Sequence, residues 1–412
     1  MYRPNKRFIS LLFLLAVLST AKTSFGQSLS EQSGSIRREV EAGNLNAAVV
    51  ELRKFKAADS DAFAANNLDY LLGRLLEQKG DRGSAAKTFR DVLARRSILS
   101  QYAAWHAARI ARANGDLVQE RERLRQLLMS APNSLLREAA TMRLAESFSA
   151  SKDHSAAIAA LKPLTETLNP SISRQALKRT GDSYLLLGKK AEARDMFTRL
   201  VDTIPDAARP DDFALAAVRA LDALDKEKSS AGLLETDHLQ RAGIYQFNRD
   251  FDGARAHYLA IVSESPQSSN VPDALFQLGR GFYQQEKYDE AIKYLQRVQS
   301  QYDSSSAGRD ALALTAGAYV RMKQLPTAIA TYKEFINRYP NAPGPERAYL
   351  NLIDALRDDG RDQEALSWIN QTRVRFKDQL GGTLALFSQA RIHISQNNWP
   401  AALADLDELS QV

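Results

Sequence analysis

The sequence predicts an all-α chain, an α-α superhelix (solenoid) assembled from helical hairpins. Three observations predict it. Ala254, Ala291, Ala328, Ala365 and Ala402 recur every 37 residues, each near the start of a similar apolar helical segment. A fixed period in the thirties is what a stack of like supersecondary units leaves in a sequence. Pro205, Pro266 and Pro340 each close such a segment, where proline cannot continue a helix. No stretch alternates in the manner of a β-strand of useful length.

The chain opens with MYRPNKRFISLLFLLAVLSTAKTSFG. Arg3, Lys6 and Arg7 give a basic start, Phe8 to Leu18 is apolar apart from Ser10, and small residues Ser24 and Gly26 flank Phe25. That three-part layout predicts a secretory signal peptide over residues 1–26, cut before Gln27. A membrane anchor is the competing reading, but the apolar run falls short of the ~20 residues a span needs. No cysteine follows the run, which argues against a lipid anchor. The expectation is export to the periplasm of a Gram-negative-type bacterium.

Composition then excludes one tempting class. The full chain carries a net charge of +6. Arg3, Lys6, Arg7 and Lys22 leave with the signal and no acid leaves with them, so the mature charge falls to +2. That is too little for a phosphate-tracking surface, and nucleic acid is not an expected partner. With no cysteine at all, an exported chain must be held by packing rather than by disulfides.

Along the chain, an N-terminal array is expected over residues 27–205. Ala47 marks a weak first unit. Leu72, Gly73, Ala85 and Phe89 mark a second. Around Trp105 to Pro132 the unit is degenerate, because Glu120 stands where the small residue belongs. Leu144, Phe148, Ala157 and Leu161 mark a fourth, and Gly181, Tyr184, Ala193, Phe197 and Leu200 a fifth. Ala193 to Ala254 spans 61 residues instead of 37, and the excess lies in 206–232. There Phe213, Ala217, Ala220, Leu221 and Leu224 stand at helical spacing, so an inserted helix and a kink are expected. A second array follows over 233–412. Its clearest unit runs from Pro272 to Asp303, PDALFQLGRGFYQQEKYDEAIKYLQRVQSQYD. Gly279 and Ala291 are small where two helices would cross closely, while Phe282 and Leu295 fill the gaps around the crossing. Trp399-Pro400-Ala401-Ala402 begins a last helix with no polar capping helix after it, which suggests truncation or a missing C-terminal domain.

Leu275, Leu278, Gly279 and Phe282, followed by Ala291, Leu295 and Val298, closely resemble the tetratricopeptide repeat (TPR). The hairpins are therefore expected to be TPR-like. Over about 233–409, segments such as SSSAGRDALALTAGAYVRMKQLPTAIATYKEFINRYP and NNWPAALADLDEL also resemble the N-terminal superhelical region of bacterial soluble lytic murein transglycosylases. That resemblance implies the non-catalytic part of an enzyme of peptidoglycan turnover. The family's catalytic signature is absent. Glu146-Ser147-Phe148 is a faint echo at the wrong spacing and without the Gly-Leu-Met-Gln segment, so a catalytic domain would have to lie beyond Val412.

A search for chemistry finds none. There is no HExxH, Walker loop or GxSxG. His106, His154, His238, His257 and His393 are scattered in sequence, so neither a metal site nor a cofactor is expected. Gly279-Arg280-Gly281 lies within a repeat helix and not after a strand. Tyr184, Phe197, Tyr245, Tyr258, Phe282, Tyr319 and Tyr332 occupy core positions of the repeat, whereas Trp399 fits either core or surface. What remains is the concave face, which the TPR resemblance assigns to the first helix of each pair. Its outward positions include Asp273, Arg280, Gln284, Arg321, Asp354 and Arg357. Arg280, Arg321 and Arg357 are the candidates for a basic strip that receives carboxylates, since guanidinium pairs with them bidentately; ordinary solvated arginines are the plain alternative. Two functions remain open at this point. One is a module for protein or cell-wall interaction, as the superhelical part of a lytic transglycosylase-like protein. The other is a free-standing TPR adaptor for a cell-envelope protein or peptide.

Overall fold

A computed structural model of the chain describes residues 26–227 and 232–411. All but one residue of the expected signal segment lies outside them. Among the described residues there is no strand; every regular element is helical. The chain forms two compact units. One takes the chain up to Pro205 together with Arg219–Leu224, and the other takes Asp206–Val218 and the chain from Asp225 onward.

The first unit holds α1 Gly26–Glu41, α2 Leu45–Ala58, α3 Ser60–Ala65, α4 Leu68–Lys79, α5 Arg82–Ala94, α6 Ser100–Ala113, α7 Leu117–Ser130, α8 Arg137–Ala150, α9 His154–Leu161, α10 Pro170–Leu186 and α11 Lys190–Asp202. The helix α12, Asp212–Glu227, occupies the region where an inserted helix was expected, and its residues are divided between the two units. The second unit continues with α13 Glu235–Phe247, α14 Phe251–Glu264, α15 Val271–Gln284, α16 Tyr288–Gln301, α17 Ser306–Arg321, α18 Leu325–Arg338, α19 Glu346–Asp358, α20 Asp362–Arg375, α21 Leu380–Ser395 and α22 Trp399–Leu409. Within each unit consecutive helices pack as antiparallel neighbours, the arrangement of a TPR-like solenoid.

The periodic alanines are the crossing points of the hairpins. Ala291, Ala328 and Ala365 are fully buried, and Ala254 and Ala402 nearly so. A Cβ added to Gly279 would stand 2.7 Å from Leu295 side-chain atoms and 3.2 Å from the Ala291 carbonyl, so the two helices approach so closely there that any side chain would force its neighbours to shift. In the first unit the crossing residue is Ala48, not Ala47: Ala48 is fully buried and Ala47 only half-buried. Of the aromatics assigned to the core, Phe197, Tyr245, Tyr258 and Tyr332 are buried. Tyr184, Phe282 and Tyr319 are only half-buried. Phe282 lies between the Tyr294 ring and the Arg255 guanidinium, the latter 4.1 Å from its centroid.

One turn joins the two helices of nearly every hairpin. A residue with left-handed backbone ends the first helix, and the next residue sends its N–H back five positions to a carbonyl of that helix. Asp81 N donates to Leu76 O at 3.0 Å, Asp116 N to Ala111 O at 2.9 Å, Lys287 N to Phe282 O at 3.0 Å and Arg361 N to Leu356 O at 2.8 Å. The left-handed residue is Gly80, Gly115, Gly188 or Gly360 in some turns, but Lys152, Arg249, Glu286, Lys323 or Asn397 in others. Where the next residue is Asp81, Asp116, Asp153 or Asp250, its carboxylate also caps the second helix.

Candidate functional site: an arginine-lined groove

In the second unit the first helices α15, α17 and α19 stand in succession and leave a cavity of about 610 Å³ between their exposed faces. Its length follows from the repeat: each helix offers residues one and two turns apart on one face, and each hairpin adds another helix to the wall. Phe276, Arg280 and Tyr283 enter from α15, Arg309, Asp310, Gly317 and Arg321 from α17, and Arg347, Asn351, Asp354 and Asp358 from α19. Tyr332 and Phe335 of the second helix α18 reach the floor from behind. Burial pushes the Tyr332 phenol up to about 12, and its hydroxyl meets Asn351. It therefore stays neutral and serves as a hydrogen-bonding floor.

The charges divide into two sets. The acids are already neutralised: Asp310 by Arg309 at 2.8 Å, and Asp354 and Asp358 by Arg357 at 2.8 and 3.0 Å. Arg280, Arg321 and Arg347 have no carboxylate within ion-pair distance among the described residues. Arg280 instead donates to Gln277 Oε1 at 3.5 Å, and Arg321 donates to the Tyr283 phenol oxygen, which stabilises its charged form. All three are exposed.

Of the residues the sequence singled out, Arg280 and Arg321 meet in this groove. Gln284 lines an adjoining cavity of about 350 Å³ with Gln246, Phe247, Arg249 and Phe251, and Arg280 stands on the rim of both. Arg357 does not line either one; it holds Asp354 and Asp358 instead. The repeat phase explains the difference. Arg321 stands one 37-residue step after Gln284, and Asp358 one step after Arg321, so the outward position in α19 is Asp358 and not its neighbour Arg357. Sequence reading missed Arg347, which takes the place assigned to Arg357; it stands two such steps beyond the outward Asp273.

The described residues hold no group of three metal-ligating side chains. The histidines are not the scattered set their numbering suggests. His238 and His257 are buried side by side, with Nδ1 atoms 2.9 Å apart across the α13–α14 hairpin. His393 contacts Asp405 at 2.7 Å. No described helix is long and apolar enough to cross a membrane.

Residues 94–211 match the tetratricopeptide repeat-like domain family. The fold is that of TPR-like helical repeats. Within this TPR-like chain, residues 268–380, which include the groove, match the outer membrane lipoprotein family YfiO. A tetratricopeptide repeat protein from Parabacteroides merdae ATCC 43184 is a similar solved structure, at 14% identity and a TM-score of 0.31, covering 70% of this chain and 98% of its own. Another is a kinesin-light-chain-type protein of nearly identical TPR-like repeats from Podosopora anserina, at 18% identity and a TM-score of 0.33, covering 49% of this chain and 98% of its own. No curated protein matches.

Proposed function

We propose that this protein is a non-catalytic interaction module of the cell envelope that holds an acidic segment of a partner protein in the groove over α15, α17 and α19. The observation that carries the reading is the sorting of charge: Arg309 and Arg357 satisfy the groove's own acids, and Arg280, Arg321 and Arg347 are left without a carboxylate. Guanidinium groups presented in a row accept carboxylates bidentately, and the neighbouring Phe276 and Tyr283 faces accept an apolar side chain between them. The family match over 268–380 supports an envelope setting, and the basic, apolar and signal-like segments of residues 1–26 support export.

The test is binding of fluorescent acidic peptides containing an aromatic residue. Arg280→Ala/Arg321→Ala/Arg347→Ala is expected to weaken binding at least about tenfold, since each charge-assisted hydrogen bond contributes on the order of 1.5–3 kcal/mol. Removing Arg357 together with its acids, in Arg357→Ala/Asp354→Asn/Asp358→Asn, should leave affinity within about twofold. Unchanged affinity in the first variant sinks the proposal. A second reading, the superhelical part of a soluble lytic murein transglycosylase, is supported by the resemblance over about 233–409. It predicts affinity for peptidoglycan instead of acidic peptide, and sacculus co-sedimentation separates the two.

A further inference from the structure

We propose that one edge of the N-terminal array docks on an anionic lipid surface, with Ile98, Leu135 and Leu168 as its inserted tips. These residues are 81%, 95% and 99% exposed. They occupy three successive turns of the same kind, each leading from the second helix of one hairpin to the first helix of the next: α5 to α6, α7 to α8, and the stretch from α9 to α10. Turns in corresponding places of a repeat array share one edge. At interaxial spacings of about 10 Å, three of them form a row on the order of 20 Å long.

Backbone geometry does not demand aliphatic tips. Leu99 N donates to Ser97 Oγ and Leu136 N to Ser134 Oγ, both at 3.1 Å, and each bond turns the residue between outward. Asn270 N makes the same bond to Ser268 Oγ at 3.0 Å in the second unit, and there the outward residue is the polar Ser269. Ile98 and Leu135 therefore present apolar surface that the turn itself does not need.

Charge selects the occupant. Arg96 and Arg137, each two residues from its tip, are exposed, and so is Lys162, six residues before Leu168. The acids nearby are Glu166, which is exposed, and Glu138, which accepts from Thr167 Oγ1 at 2.7 Å. Between the second and third turns lies a cleft of about 550 Å³ walled by Leu128, Pro132, Leu144, Pro163 and Leu164. It exists because α9 stops at Leu161 and the chain rewinds through a 3₁₀ turn at Lys162–Leu164, so it is shorter than α7 beside it. Hot spots for protein partners are contiguous and rich in Trp, Tyr and Arg. Separate aliphatic points, two of them with an exposed arginine two residues away, flanking a largely aliphatic slot, suit acyl chains beneath anionic headgroups.

The sequence contains no cysteine, so a single introduced one can be labelled uniquely. Full-length protein carrying an environment-sensitive dye at Ile98→Cys, Leu135→Cys or Leu168→Cys is titrated with phosphatidylglycerol–phosphatidylcholine vesicles. The control is Leu186→Cys, 68% exposed at the far end of α10. We expect blue-shifted emission at the three tips and none at the control. With the dye on residue 135, Ile98→Ser/Leu168→Ser should raise the half-saturating lipid concentration about tenfold, and Arg96→Gln/Arg137→Gln/Lys162→Gln about threefold or more. No shift at the tips, or an equal shift at the control, overturns the proposal. So does a tip shift that needs an added protein in place of vesicles.

Discussion

Glu120 is where a single residue departs most from its repeat. It stands at the crossing position that alanine fills elsewhere and is fully buried, yet it is not a defect. Arg112 of α6 and Arg143 of α8 reach its carboxylate at 3.2 and 2.9 Å, and Arg143 lies over the Trp105 ring. An ion triad thus replaces apolar contact at this crossing. Glu120→Ala restores the consensus residue but is expected to destabilise by about 2 kcal/mol, because it leaves a void and two partly buried guanidinium groups without their acceptor. The urea midpoint of the variant decides this, and a stabilised variant would mean that the small-residue rule outweighs the triad. Gly279→Ala is expected to cost about 2 kcal/mol by overpacking against Leu295 and the Ala291 carbonyl.

Two buried histidines set a pH dependence at the same scale. Burial holds His106 below its ordinary pKa, although Nδ1 contacts Glu77 at 2.7 Å. Burial and the neighbouring His257 ring depress His238. A depressed folded pKa means that the unfolded chain binds the proton more readily. The stability contribution is therefore full above the unfolded value of about 6.5 and is lost as pH falls through the folded values. Denaturation midpoints measured at pH 7.5 and 5.5 should show the loss, and His106→Gln/His238→Gln should flatten it.

At the scale of the element, the recurring device is the hairpin turn with its left-handed residue. Glycine adopts that backbone freely, whereas a residue with a Cβ is strained there. Lys152, Arg249, Glu286 and Lys323 hold the conformation with φ near 60°. Lys323→Gly is expected to stabilise the α17–α18 hairpin by about 0.5 kcal/mol, the relief of strain being partly offset by the greater entropy of the unfolded glycine chain. Thermal unfolding resolves the sign. A lower melting temperature would place other Lys323 contacts above the backbone term.

At the scale of the molecule, the groove belongs to no one hairpin. Three successive first helices supply its cations, and each hairpin alone would present one or two arginines on an open surface. Binding of an acidic peptide should therefore weaken as salt rises from 0.05 to 0.5 M, because exposed charges are screened within about 10 Å at 0.1 M. Salt-independent binding would shift the weight to the Phe276 and Tyr283 faces. The hairpin α21–α22 leaves Phe387, Trp399 and Leu403 about half exposed or more.

The sequence by itself determined the fold class. Period, small crossing residues and helix-ending prolines are local properties repeated in phase, and a solenoid is built from contacts between near neighbours in the chain. That is why Ala254, Ala291, Ala328, Ala365 and Ala402 all lie at crossings. It also brought Arg280 and Arg321 to one groove, since both stand on the outward face of a first helix. Only the tertiary structure decided which arginines are left without a carboxylate. Arg357 and Arg347 differ little in composition or setting along the chain, yet one is held by Asp354 and Asp358 and the other opens into the cavity. The pairing of His238 with His257 and the arginine pair that satisfies Glu120 were equally out of reach. A side chain's partner is fixed by rotation about helix axes and by packing between helices, and neither is written in a one-dimensional period.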